Sequence, residues 1–168
     1  MVLRPAVPGD EHEVATVHVR SWRAAYRGLL PAGFLDSLGP GFFESRYTFG
    51  AGGPDAPQTV VAEEGGRVRG FATVAPAGGP DVPGVGELTS IHIDPEWWSR
   101  GLGSALLEDA RTRMAGRGWT RAVLWMLEGN ERAERFYRRD GWMPDGARRV
   151  ITVGGEDVQD IRCGRRLP

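Results

Sequence analysis

The segment Glu87–Leu127, "ELTSIHIDPEWWSRGLGSALLEDARTRMAGRGWTRAVLWML", limits the folds open to this chain more than any other. It begins with a β-rich run that Pro95 stops, because proline cannot donate to a strand ladder. It ends with "RAVLWML", an apolar run that reads as a buried strand. Between them, Leu106, Leu107, Ala110 and Met114 recur at helical spacing on a helix predicted over Gly103–Ala115 and closed by "GRGW". Two strands joined through a helix lie parallel with a right-handed crossover. The chain is therefore expected to build a mixed sheet with helices packed on it.

The flanking segments supply the rest of an α+β domain. Val2–Arg4 reads as a first strand. Asp10 with Glu13 three residues on has the form of a capping box, and the helix after it places Val14, Val17, His18, Ser21, Trp22 and Ala25 near one face, ending around Gly28. "PAGFLDSL" and "GPGFFESRYTFG" read as short helices between Gly and Pro breakers. "TVVAEE" and "RVRGFATVA" form a hairpin through Gly65-Gly66, and "APAGGPDVPGVG" is loop. Asn130 caps a helix, "ERAERFYRRD", that ends at Gly141, and two strands follow, "ARRVITV" and about "VQDIRCGRRL". The order is roughly β-α-α-β-β-β-α-β-α-β-β.

Composition narrows the function. With 168 residues, 40% hydrophobic and 26% charged, a single domain over 1–168 is expected. No segment is apolar enough to span a bilayer, and "MVLRPAVPGDE" lacks the apolar core of a signal peptide. The lone Cys163 rules out an intramolecular disulfide and leaves no Cys-based metal site, so a cytoplasmic protein without metal is expected. All 21 basic residues are arginine, which excludes a Walker A loop and a Schiff-base lysine. A net charge of −1 gives no sign of nucleic-acid binding. The charge is uneven, however: residues 1–99 hold 7 arginines against 12 acids, and residues 100–149 hold 11 against 7. That excess suits an anionic ligand at the glycine turn, or equally a solvated arginine-rich helix face.

Glycines just before a helix let backbone N–H groups approach an anion closely. The dinucleotide pattern G-x-G-x-x-G fits at Gly101 and Gly103 but meets Leu106 at its third position. The turn from strand to glycines is also too long for it. The segment Trp98-Ser99-Arg100-Gly101-Leu102-Gly103, followed by Ser104, instead resembles the acyl-CoA pyrophosphate loop of the GNAT superfamily of N-acetyltransferases, commonly Gln/Arg-x-x-Gly-x-Gly/Ala. Trp98 departs from that pattern at its first position. "NERAERFYRRDGW" is similar to the family's Asn-x-x-Ala-x-x-Phe-Tyr-x-x-x-Gly-Phe segment, with Asn130, Ala133, Phe136, Tyr137 and Gly141 matching and Trp142 in the last place.

The resemblance implies the GNAT fold: a mixed sheet of about six or seven strands with helices on both faces and a parallel pair that splays at the cofactor site. It implies acetyl-CoA as co-substrate, with Ile91, His92 and Ile93 offering a backbone edge to the pantetheine arm. Ser99, Arg100, Gly101, Leu102, Gly103 and Ser104 would hold the diphosphate, and Asn130 and Ala133 the arm. Tyr137 would be the general acid, since a thiol of pKa about 8.5 leaves as thiolate near a phenol of pKa about 10. Packing alone would also explain a tyrosine there, and capping alone would explain Asn130.

Glu87 is the candidate general base, through water, with His92 its competitor; His18 is expected to be packed. Trp22 and Tyr26 lie in a region that often lines the acceptor site, although core packing explains Trp22 as well. Arg138 and Arg139 either approach the 3′-phosphate or are solvated. Cys163, taken to lie far from these segments, leaves direct transfer to a primary amine of a small molecule or peptide in a ternary complex. The alternative is a non-catalytic acyl-CoA-binding module. A homodimer is compatible with either, and no membrane or nucleic-acid partner is expected.

Overall fold

The chain runs β1 (Val2–Pro5), α1 (Glu11–Ala25), α2 (Ala32–Ser37), α3 (Pro40–Glu44), β2 (Gln58–Glu64), β3 (Arg67–Pro76) and β4 (Gly86–Ile93). A 3-10 turn at Pro95–Trp97 leads to α4 (Leu102–Gly116), β5 (Arg121–Leu127), α5 (Glu131–Arg139), β6 (Met143–Val153) and β7 (Glu156–Arg166). The computed structural model describes every residue except Ala51 and Pro80; Pro80, in the segment expected to be loop, lies outside the described residues. Three helices separate β1 from β2 among the described residues, α1 and the two short ones read from "PAGFLDSL" and "GPGFFESRYTFG", where the order β-α-α-β counts two.

The strands form one seven-stranded sheet in the order β1-β2-β3-β4-β5-β7-β6. Among the strands of the described residues only β4 and β5 pair in parallel, and they do so at two positions, Gly86 with Ala122 and Glu87 with Val123. β4 stays paired with β3 as far as Ile93 opposite Gly70, and β5 with β7 as far as Leu127 opposite Asp160. The two strands therefore splay, and the edge of β4 from Leu88 to Ile93 that faces β5 is left open. A bulge lies where the splay begins. Leu88 pairs with Val74 and Ser90 with Thr73, so Thr89 is an extra residue. Bulges bend a strand and sharpen its twist, which turns the rest of β4 away from β5. The extra residue also resets the alternation: Leu88, Ile91 and Ile93 pack toward α4, whereas His92 faces α1, where its ring stacks on His18.

One core lies between the sheet and the α4–α5 face. There the expected stripe of Leu106, Leu107, Ala110 and Met114 is buried with Leu124 and Trp142. The other face is covered by α1, α2 and α3. The capping box does not form. Asp10 instead accepts hydrogen bonds from Arg4 at 2.7 and 3.0 Å and from the Val7 N–H at 2.8 Å. Glu13 accepts from the Val68 N–H at 2.8 Å and pairs with Arg67 at 2.6 Å. Both carboxylates are drawn into contacts that fasten α1 to β1 and β3, a tertiary demand stronger than a local cap. At the sheet margins, β1 ends in a proline, and β6 carries Pro144, a register shift of its own and the exposed Arg148 and Arg149. Among the described residues no helix is long and apolar enough to cross a membrane.

Gly86, at the root of the splay, has no room for a side chain: an added Cβ would meet the Trp119 ring at 2.4 Å and the Met114 sulfur at 3.0 Å. Gly86→Ala should lower stability by about 1–3 kcal/mol through overpacking, measured by urea unfolding. Gly116→Ala, at the open end of α4 with nothing within 4 Å of the new Cβ, should instead gain about 0.5–1 kcal/mol.

Candidate active site

A cavity of about 410 Å³ occupies the gap between β4 and β5. The open edge of β4, from Leu88 through Ile91, His92 and Ile93, forms one wall. Trp125 and Met126 of β5 form another, and Asn130, Ala133, Phe136 and Tyr137 of α5 a third. Ser21, Ala25 and Tyr26 of α1 close the side toward the second helical layer. At one end lies the loop before α4, which contributes Trp98, Ser99, Gly101, Gly103 and Ser104.

That loop has the backbone form of an anion cradle. Ser99 has φ 61° and Gly101 has φ 85°, two left-handed residues on either side of Arg100. Alternation of this kind turns successive N–H groups to one side. Gly101 is also the N-cap of α4, and no side chain caps the helix. Its first turn holds no acid, whereas α1 and α5 have Glu11 with Glu13 and Glu131 with Glu134 in theirs. The first-turn N–H groups and the positive end of the helix dipole thus face the cavity without a protein counter-charge. Gly103 answers a different need: a Cβ there would lie 3.3 Å from the Phe136 ring, so its absence lets α4 and α5 pack closely.

Asn130 caps α5 by accepting the Ala133 N–H at 3.1 Å, which leaves its amide NH₂ free at the cavity wall. Two turns on, Tyr137 is half-buried. Burial, then the neighbouring Tyr26 and Cys163, push its phenol well above the usual 10, and no hydrogen bond from the protein counters them. Cys163 is therefore not remote. It is buried in the core on which Tyr137 packs, although it does not line the cavity, and burial raises its thiol.

His92 is held by Ser21 Oγ at 3.2 Å and by the His18 ring, whose centroid is 4.3 Å away. Burial lowers its pKa to about 4, so it is neutral at pH 7. His18 is packed as expected, between Phe43 and His92, with its Nδ1 2.7 Å from the Tyr47 hydroxyl. Tyr26 is on the wall, its phenol pushed up to about 12 by burial and Asp160.

Four expected residues do not line the cavity. Trp22 packs in the second core, with its ring 5.1 Å from Tyr26 and from Phe43. Leu102 is buried beneath the loop. Arg100 lies over the Trp97 ring at 4.9 Å. Glu87 sits where the strands are still paired; it is half-buried, and desolvation raises its pKa despite the Gly78 N–H and the charges of Arg149 and Arg162. Arg139 is on the wall, whereas Arg138 pairs with Glu134 at 2.8 Å.

Sequence reasoning missed Ser21, Trp125 and Arg132 as wall residues. Strand alternation carried a signal for one of them, since Leu124 and Met126 face the core and Trp125 must face away.

Residues 19–142, spanning both the loop and the Asn130–Trp142 segment, match the Acetyltransferase (GNAT) family. The chain belongs to that family. It is an N-acetyltransferase by class, and the splayed seven-stranded sheet is the GNAT fold. It is 30% identical over 130 residues to the uncharacterised N-acetyltransferase YuaI of Bacillus subtilis (strain 168), covering 77% of this chain and 73% of that protein. Among solved structures it resembles the PaiA N-acetyltransferase of Thermoplasma acidophilum in complex with coenzyme A, with TM-score 0.74 and 17% identity over 98% of each chain. The ribosomal-protein-S18-alanine N-acetyltransferase of Escherichia coli gives TM-score 0.66 and 19% identity over 99% of this chain and 93% of that one.

The Asn130 cap can be isolated by substitution. Asn130→Ala should cost about 1 kcal/mol of unfolding free energy, while Asn130→Asp, which keeps a capping oxygen, should cost little. Both are read from denaturant midpoints.

Proposed function

We propose that the protein transfers the acetyl group of acetyl-CoA to a primary amine by direct attack in a ternary complex. The observation that carries this is one cavity that joins an open strand edge, an uncapped helix N-terminus and the Tyr137 phenol. The fit to coenzyme A is specific in kind. An extended arm with amides can pair with the free edge of β4 as an added strand would. The Ser99–Ser104 cradle and the α4 dipole suit a diphosphate. The bound coenzyme A of the Thermoplasma neighbour supports the same reading.

The chain's own residues then divide the work. Backbone N–H groups of Ile91–Ile93 orient the thioester and polarise its carbonyl, a contribution of about 3 kcal/mol when well aimed. Tyr137 stays protonated throughout the physiological range and donates to the thiolate as it leaves. Glu87, made more basic by burial, takes the amine's proton through water at the root of the splay. Ser21, Tyr26 and the neutral His92 line the side from which the amine of a small molecule or peptide approaches. The lone, buried Cys163 fits a reducing cytoplasmic setting and has no part in transfer.

The test is acetyl-CoA-dependent thiol release across a panel of amines. Tyr137→Phe should lower kcat by about 10²-fold or more with acetyl-CoA affinity unchanged. In the wild type, activity should fall as pH drops through the raised pKa of Glu87, because the base is then protonated. Its acid limb should therefore lie above the usual carboxylate value of about 4.3, and Glu87→Gln should remove that limb. Tight acetyl-CoA binding with no thiol release on any amine would show a binding module instead of an enzyme.

A further inference from the structure

Trp98 stands where the family's loop pattern has Gln or Arg, so the loop lacks a polar side chain at its first position. The loop's own arginine does not replace it, since Arg100 lies on Trp97 and off the cavity wall. What Trp98 does instead is visible. Its indole N–H donates to the Ile93 carbonyl at 2.9 Å, tying the loop to the end of β4. Its ring carries the Arg132 guanidinium at 3.6 Å from the ring centroid.

Arg132 comes from the first turn of α5 and sits on the cavity wall beside Trp98, Ser99 and Ser104. Its side chain is exposed, and its place on the helix favours an anionic partner. The N-terminal turn of a helix disfavours positive charge. Its neighbours on the helix are neutralised, Arg135 by Glu131 at 3.2 Å and Arg138 by Glu134 at 2.8 Å. Arg132 has no carboxylate partner among the described residues. Partial desolvation, and after it the nearby Arg135, lower its pKa although the side chain is largely exposed. Stacking on an indole orients a guanidinium and leaves its N–H edge free to donate, and here the indole is Trp98, the residue just before the Ser99–Ser104 cradle, with both lining the same cavity.

We infer that Arg132, held on the face of Trp98, is the cation that binds the diphosphate of the acyl-CoA, a side-chain contact supplied from α5 and not from the loop itself. The assignment rests on the acyl-CoA reading above. It makes Trp98 a positioning residue and Arg132 a ligand-binding one.

Calorimetric titration of the full chain with coenzyme A and with 3′-dephospho-coenzyme A tests it without any acceptor. Arg132→Ala should weaken both ligands by the same factor, about 10- to 100-fold for a lost charge-assisted contact, and should flatten the salt dependence of affinity. Trp98→Ala should reproduce that loss. The double variant should be no weaker than the weaker single one, because both changes remove one contact. Arg138→Ala, whose side chain is paired and off the wall, should bind as wild type does. The assignment is overturned if Arg132→Ala binds coenzyme A within twofold of wild type. It is overturned too if that variant loses affinity for coenzyme A and not for the dephospho form, since Arg132 would then serve the 3′-phosphate. Additive losses in the double variant would refute the role given to Trp98. Wild-type protein that binds neither ligand would overturn the acyl-CoA reading itself, and the assignment with it.

Discussion

Beyond Glu87, β4 carries N–H and C=O groups with no strand beside them on the β5 side, although β4 lies in the middle of the sheet. Interior backbone groups are almost always paired, and an unpaired one costs about 1–3 kcal/mol when shut away from water. A sheet can keep such an edge only if something else meets it. The bulge at Thr89 makes the opening by bending β4, and α4, α5 and α1 hold it open by packing on the two diverging strands. The cavity is thus a product of sheet geometry before any side chain enters it, and the side chains that line it come from elements the splay has already placed.

Charge is graded along that opening. The loop end combines the α4 dipole with Arg132, Arg135 and Arg139 of α5, and the wall residues His92, Tyr26 and Tyr137 are neutral. His92 is neutral because burial beside His18 leaves no room for a proton's charge, and Tyr26 and Tyr137 are neutral because burial raises both phenols. Burial opposes protonation of both imidazoles in the stack against Phe43. An anionic group is therefore drawn to the loop end, while buried neutral groups offer hydrogen bonds at the other.

Much of this could be read in the letters. The parallel pair followed from strand, helix and strand within Glu87–Leu127. The core stripe of α4 followed from its spacing, and the Gly65-Gly66 hairpin from turn chemistry, with both glycines at positive φ. The loop and the Asn130–Trp142 segment carried the family. What stayed hidden depended on distant partners. Asp10 and Glu13 match a capping box, yet Arg4, Arg67 and the Val68 N–H compete for them from other strands. Cys163 is far from Tyr137 in sequence and near it in space because β7 inserts between β5 and β6. Which face His92 presents turns on a bulge that no local pattern marks. Arg132 drew no reading from the sequence, and only the Trp98 ring beneath it sets it apart from the other arginines of α5.

The margins of the sheet contrast with its centre. β1 is four residues long and closes with Pro5, while β6 is kinked at Pro144 and studded with Arg148 and Arg149. Prolines, bulges and outward charges are what deter one sheet from recruiting another. A seven-stranded sheet so guarded accepts a new β-partner only in its interior, where entry is limited to something as narrow as a single extended chain. The same hydrogen-bonding capacity that would invite aggregation at a bare edge lies here in a slot between two strands, where one structural feature sets both what the sheet leaves unpaired and how little of it is open to another sheet.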